Sequence, residues 1–243
     1  MKERLDKILV DRGIVKSRER ARAWIMEGNV LVDNAPVTKA GAMINPDSSI
    51  TLKSEDIPYV SRGGLKLEAA IKHFNVSLEN KVAMDVGSST GGFTDCMLQR
   101  GAKKVYCVDV GYGQLAWLLR NNPRVILLER TNIRHLEREK IPDNIDIATI
   151  DASFISLTKV LPKVLEFLKD GGEILALVKP QFEVGKGEVG KGGIVREEEK
   201  RLSAVDSVKT EMERIGLQAI GVFESPVAGQ KGNIESFLYL KKG

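Results

Sequence analysis

Apolar positions keep two different rhythms along this chain, and the change falls near residue 57. In "ERLDKILVDRG", Leu5, Ile8 and Leu9 recur at helical spacing and Gly13 closes the segment. "SRERARAWIMEG" predicts a second short helix, with Ser17 as N-cap and Gly28 as C-cap. "NVLVDNAPVTKAGAMINPDSSITLK" reads as short strands parted by turns at "DNAP" and "NPDSS". Residues 1–56 thus predict a small α+β module, of a size that is marginal alone. "IPYVSRGG" (57–64) predicts a linker.

Beyond it, apolar runs at 81–87, 103–111, 124–130, 145–153 and 173–180 alternate with helical stretches, among them 154–172 and 196–216. That alternation predicts a parallel sheet covered on both faces. The end differs. "LQAIGVFESP" and "NIESFLYLKK" are parted only by "VAGQKG", which predicts a hairpin and one antiparallel strand. Residues 65–243 therefore predict an α/β, Rossmann-like domain with a mostly parallel, seven-stranded sheet and a terminal antiparallel hairpin.

Composition adds limits. Of 243 residues 42% are hydrophobic, enough for an ordinary core. The formal charge of +4 permits a nucleic-acid partner without requiring one. Its location matters more: residues 1–22 hold eight Lys/Arg against four Asp/Glu. Cys96 and Cys107 sit in stretches that read as buried helix and buried strand, so they predict core thiols in a reducing cytoplasm, with no disulfide framework or zinc site. "MKERLDKILVDRG" places charges where a secretory signal needs an apolar region, and no apolar run is long enough to span a bilayer; a soluble, cytoplasmic protein is expected.

"MDVGSSTGGFTD" (84–95) leaves the first strand of the sheet and opens a helix. Glycines here let the backbone turn sharply and approach a ligand. The pattern is not G-x-G-x-x-G, and Asp85 beside the loop would repel a pyrophosphate. It would favour a ligand with a positive centre and hydroxyls, such as S-adenosylmethionine with its sulfonium and ammonium groups. Asp109 follows at the next strand end, where a carboxylate can accept from ribose hydroxyls. Asn132, with Thr131 beside it, is placed at the third strand end to meet an adenine edge. The candidate cofactor set is Asp85, Gly87, Ser88, Ser89, Thr90, Gly91, Gly92, Phe93, Asp109, Val110, Thr131, Asn132 and Asp151.

Four further residues define a candidate chemical site. Lys66 opens a helix before the sheet, Asp151 and Lys179 end the fourth and fifth strands, and Glu235 begins the last. An antiparallel strand starts at the edge where parallel strands end, so these groups can converge beside the glycine loop. A lysine after five apolar residues ("ILALVK") is costly to bury unless paired. Lys179 is read as base or orienter for a hydroxyl, held by Asp151, with Lys66 and Glu235 fixing a substrate ribose.

The run "GKGEVGKGG" (185–193) satisfies G-x-x-x-x-G-K, but Gly192 stands where a P-loop carries Ser or Thr for magnesium. A mobile loop whose Lys186 and Lys191 meet RNA phosphates is the better reading. Arg4, Lys16, Arg18, Arg20, Arg22 and Arg62 complete the candidate RNA contacts. Arg18, Arg20 and Arg22 alternate along a helix, so they cannot share one face. Trp24 reads as core.

"MDVGSSTGGFTD", "TIDASFISL", "LVKPQFE" and "GNIESFLYL" resemble the hemolysin-A-like (TlyA) RNA 2′-O-methyltransferases of the FtsJ-like fold. The resemblance covers essentially the whole chain. It places the family's Lys-Asp-Lys-Glu tetrad on Lys66, Asp151, Lys179 and Glu235. It likens residues 1–56 to an RNA-binding module shared by a ribosomal protein, tyrosyl-tRNA synthetases and pseudouridine synthases. It implies S-adenosylmethionine as donor and a cytidine 2′-hydroxyl of ribosomal RNA, within a ribosomal subunit, as acceptor. The linker departs from the family in lacking a tryptophan that some members carry. Other readings are a nicotinamide-dependent oxidoreductase, an RNA-binding assembly factor with a vestigial cofactor pocket, and a membrane-active, hemolysin-like protein; the missing G-x-G-x-x-G and the antiparallel strand argue against the first.

Overall fold

A computed structural model describes residues 2–15, 17–26, 28–53, 57–185, 187–229 and 232–243. The chain divides into two units, Met1–Pro58 and Tyr59–Gly243.

In the first unit, strand β1 (Glu3–Arg4) leads into helices α1 (Leu5–Asp11) and α2 (Arg18–Met26), followed by β2 (Val30–Val32), β3 (Ala35–Pro36), β4 (Met43–Ile44) and β5 (Ile50–Leu52). Leu5, Leu9, Ala21, Trp24 and Ile25 from the helices close on Val30 and Val32 of β2. Trp24 is core, in keeping with its apolar helix position. Strand β2 lies between β3 and β5, and β1 pairs with β4. The β2–β3 turn holds Asp33 and Asn34 at φ 50° and 64°, a left-handed pair of the kind that matches strand twist in two-residue hairpins. The Ser17 hydroxyl accepts from Arg20 N at 3.2 Å, capping α2.

The second unit begins at once. Tyr59 is buried, and Val60 N donates to Asp95 at 2.8 Å, so part of the stretch expected as linker is packed into the domain. Helix α3 (Gly63–Phe74) precedes β6 (Val82–Val86), α4 (Gly92–Gln99), β7 (Lys104–Val108), α5 (Trp117–Arg120) and β8 (Val125–Leu128). Then come β9 (Ile145–Ile150), α6 (Leu161–Leu165), β10 (Leu168–Val178), α7 (Pro180–Glu183), α8 (Glu198–Arg214), β11 (Leu217–Glu224) and β12 (Ser236–Lys242). The sheet order is β11-β12-β10-β9-β6-β7-β8. Every pairing is parallel except those of β12, which inserts antiparallel between β10 and β11. Apolar layers cover both faces: Ile145, Phe167, Val208 and Leu240 belong to one, Leu67, Met97, Leu175 and Phe237 to the other.

The chain order reverses between β6 and β9, which opens a crevice at their carboxyl ends. One element departs from the sequence pattern. Residues 154–172 are not one helix: a 3-10 turn (Leu157–Lys159) and the short α6 fill part of it, and β10 already starts at Leu168. Leu168 pairs with Ile145, the register shifts before Glu173, and Gly171 takes φ 70°. Burial of Phe167 and Leu168 against the sheet outweighs local helix propensity there.

Candidate active site

Strand β6 delivers the chain to Gly87 at φ 83°. A Cβ at Gly87 would stand 2.6 Å from the Asp151 carbonyl oxygen, so only glycine lets the ends of β6 and β9 come together. The Ser88 hydroxyl is buried and has no hydrogen-bond partner among the described residues. Ser89 and Thr90 are exposed, and Gly91 caps α4 in the left-handed conformation. Asp109 accepts from Ser89 N at 2.7 Å and Gly111 N at 2.6 Å, tying the glycine loop to the β7 end. Val110 beside it is exposed. Asn132 caps the following 3-10 turn through Arg134 N, which occupies its Oδ1. Thr131 donates to the Glu129 carbonyl at 2.9 Å.

Two expected cofactor residues lie elsewhere. Asp85 does not border the crevice: it is fully buried and accepts from the Thr94 hydroxyl at 2.6 Å and the Thr149 hydroxyl at 3.3 Å. Strand alternation turns its carboxylate under α4, where it braces the loop from below. Burial, reinforced by the Asp151 charge and opposed by the threonine hydrogen bonds, pushes its pKa up to about 7. Phe93 is also buried, with its ring 5.9 Å from that of Phe237, and belongs to the core. Cys96 and Cys107 are buried free thiols, and burial lifts Cys96 to about 11.

Lys66, Asp151, Lys179 and Glu235 gather at the carboxyl edge. Val178 pairs with Ser236 across β10 and β12, so Lys179 and Glu235 are neighbours one step beyond the ladder. Lys66, from the first turn of α3, donates to Glu235 Oε2 at 2.6 Å. Lys179 forms an ion pair with Asp151 and donates to the Ser153 hydroxyl at 2.9 Å. Both lysines and Glu235 are buried. Charges withdrawn from water this far cost several kcal/mol unless partnered, and each amine here has its own carboxylate.

Sequence reasoning did not find the residues that frame these couples. Ser153 is one. Phe154 is another: it holds φ 64° with its side chain 90% exposed, and its ring lies 5.1 Å from that of Phe182. A bulky residue in left-handed backbone is strained. Glu183 accepts from the Ser156 hydroxyl at 2.6 Å and Leu157 N at 2.9 Å, fastening the loop after β9 to α7; burial raises its pKa. Buried Asn233 grips the glycine-rich loop through Gly193 and Val195. The signal available was the company these residues keep: each lies within a few positions of Asp151, Lys179 or Glu235.

That glycine-rich loop is separated from β10 by α7, and α8 after it opens on Glu197, Glu198 and Glu199. An acidic helix start repels phosphate, which removes the triphosphate reading. Lys191 and Arg62 are exposed; Lys16 and Lys186 lie outside the described residues. In the first unit, Arg4 grips buried Asp6 through both oxygens at 2.9 and 2.8 Å. Arg22 and Arg18 reach the same carboxylate at 3.1 and 3.3 Å. The hydrogen bond from Arg4, with those from Arg22 and Arg18, holds Asp6 well below the usual carboxylate range against its burial. Arg18 and Arg22 thus share a face one turn apart, while Arg20 is half-buried on another. Among the described residues no helix is long and apolar enough to cross a membrane.

Residues 59–242 match the FtsJ-like methyltransferase family and residues 3–50 match the S4 domain. The 16S/23S rRNA (cytidine-2′-O)-methyltransferase TlyA of Mycobacterium tuberculosis is 43% identical over 98% of this chain and 89% of its own. Hemolysin A of Brachyspira hyodysenteriae is 40% identical over 96% of this chain and 97% of its own. A solved structure of a candidate hemolysin from Streptococcus thermophilus superposes with TM-score 0.77 at 43% identity, covering 99% of this chain and 88% of that one. With its sheet order, its glycine loop and its two domains all accounted for, the chain belongs to the TlyA and hemolysin A family of FtsJ-like methyltransferases that carry an S4 domain.

Proposed function

We propose that this chain uses S-adenosylmethionine to methylate a ribose 2′-hydroxyl, that of a cytidine, in the RNA of a ribosomal subunit. The observation that carries this reading is the pair of buried amine–carboxylate couples beside a glycine loop at the carboxyl edge. The loop fits the cofactor: its tight backbone leaves no room for a Cβ at Gly87, and its buried Ser88 hydroxyl lacks a partner among the described residues. Ser88 and the loop backbone would hold the amino-acid end, Asp109 the ribose hydroxyls, and Val110 and Asn132 the adenine. When bound, the cofactor supplies a methyl group on a positive sulfur. Asp85 acts from beneath, through Thr94.

The other steps belong to the chain's own side chains. Lys66 and Glu235 bind the acceptor ribose. Lys179, held by Asp151 and Ser153, orients the acceptor hydroxyl by donating to its oxygen, and the proton that this oxygen gives up as it gains the methyl passes to the Asp151 carboxylate of the couple. Alignment of this kind contributes several kcal/mol, and misplacement by about 1 Å costs about a hundredfold in rate. Exposed Phe154, packed on half-buried Phe182, offers a ring face to an unstacked base, the usual means of holding single-stranded RNA. The arginines around Asp6, with Arg62 and the loop lysines, supply phosphate contacts. The FtsJ-like and S4 matches and the name of the mycobacterial relative support this reading. Calorimetry should show binding of S-adenosylmethionine and none of NADH. Mapping 2′-O-methyl groups in ribosomal RNA from cells with and without the gene should reveal a cytidine modified only in its presence; identical maps would refute the assignment.

A further inference from the structure

The return leg of the glycine-rich loop is fastened to the segment that delivers Glu235, and a single side chain does the fastening. Residues 190–194 form a small hairpin, closed by Gly190 N donating to the Ile194 carbonyl at 3.0 Å. Exposed Lys191 lies in its turn. Asn233, only 2% exposed, grips the leg that follows: its Nδ2 donates to the Gly193 carbonyl at 2.8 Å and its Oδ1 accepts from Val195 N at 3.0 Å. Its own carbonyl accepts from Gly229 N at 2.8 Å, and the Glu235 carbonyl accepts from Ser225 N at 2.8 Å. Gly229 comes so close to the Glu235 carboxylate that a Cβ there would overlap it. The 193–195 leg and the stretch from Ser225 to Gly229 are thus both fastened to the short segment that carries this carboxylate.

A buried amide satisfied at both ends is costly to leave half-bonded. It is therefore a stiff link. Displacement of the 193–195 leg is transmitted through Asn233 to Glu235 two residues on, and from Glu235 to Lys66.

We propose that Asn233 is a positioning residue that couples the basic glycine-rich loop to the Lys66–Glu235 couple, so that RNA engaged at Lys191 completes the site. This rests on the reading above that the couple serves methyl transfer to RNA.

The test is a double-mutant cycle of Asn233→Ala and Lys191→Ala in the full chain, followed as single-turnover methyl transfer to ribosomal RNA at saturating RNA. Asn233→Ala is expected to lower the single-turnover rate about tenfold to a hundredfold, with S-adenosylmethionine affinity close to that of the unaltered protein and the rate read well below the variant's own, lowered thermal midpoint. Lys191→Ala is expected to lower the rate less. Adding it to Asn233→Ala should cost under about twofold more, because residues acting through one link do not combine independently. Multiplying losses would overturn the proposal. So would an unchanged rate, or a rate that falls only in step with cofactor affinity. Should the alanine variant not fold, Asn233→Asp keeps the acceptor for Val195 and loses the donor to Gly193; it should show an intermediate rate, and full activity would contradict the link. An unaltered chain that transfers no methyl at all would sink the methyltransferase reading itself, whereas an active one with additive variants sinks only this coupling.

Discussion

At the scale of single residues, the carboxylate under the glycine loop has the clearest measurable signature. Asp85 is fully buried, and its pKa rises from 3.8 to about 7. Because the folded state holds this proton more tightly than the unfolded chain, the contribution of Asp85 to stability is full below about pH 4. It falls as pH rises toward 7, by at most about 4 kcal/mol. Asp85→Asn removes the ionisation. Its thermal midpoint relative to the unaltered chain should climb between pH 4 and pH 8, and a difference independent of pH would contradict the assignment. The residue type and its place at a strand end are legible in "MDVG". Its burial is not, because strand alternation decides which face receives it and the acidic side chain gives no hint of two threonines waiting there. Phe154 was hidden for the opposite reason: an aromatic four residues beyond a strand normally reads as core, and only its exposure and its backbone at φ 64° show it turned outward.

Among elements, the strands of the sheet were readable from apolar runs, since buried parallel strands are nearly continuous in hydrophobicity. The stretch 154–172 misled because "LTKVLPKVLEFLKDGG" has helical spacing, yet Phe167 and Leu168 are claimed by the sheet. Periodicity describes one segment's preference and carries no information on what its neighbours will bury. The same holds for α1 and α2. Alternating arginines on α2 correctly predict separate faces, but the acid that gathers two of them with Arg4 lies on α1 at Asp6. Three guanidinium groups around one carboxylate leave two net positive charges in fixed directions. Asp6→Asn increases net charge while releasing those directions. Binding to unrelated RNA should therefore hold or strengthen, while preference for ribosomal RNA over unrelated RNA falls, as read by filter binding of both. An unaltered preference would remove Asp6 from the account.

For the whole molecule, the division of labour follows from where charge and chemistry sit. One unit is a compact S4 domain with a buried acid organising its arginines; the other is a methyltransferase sheet with its couples at the carboxyl edge. Phosphate contacts predict a salt-dependent association. Lys186→Ala with Lys191→Ala should reduce the slope of log affinity against log salt by about 1–2, the loss of two contacts at about 0.7–0.9 each. A slope that does not move would return these lysines to the solvent. The glycine loop was legible because it is one short run of residues, whereas Lys66 and Glu235 lie 169 positions apart and could be set beside Asp151 and Lys179 only by reasoning about strand ends and by the resemblance. The cross-links from Ser153, Glu183 and Asn233 were not legible, since they depend on which loops the sheet brings side by side.

Lys179, set by Asp151 and Ser153, is proposed to align a ribose hydroxyl for methylation. The decisive assay is transfer of labelled methyl from S-adenosylmethionine to ribosomal RNA by the unaltered chain and by Lys179→Ala. Methyl incorporation at a cytidine 2′-oxygen is expected from the former, a loss of about a hundredfold or more in the latter, and equal cofactor binding by both. Comparable transfer by the two proteins would contradict it.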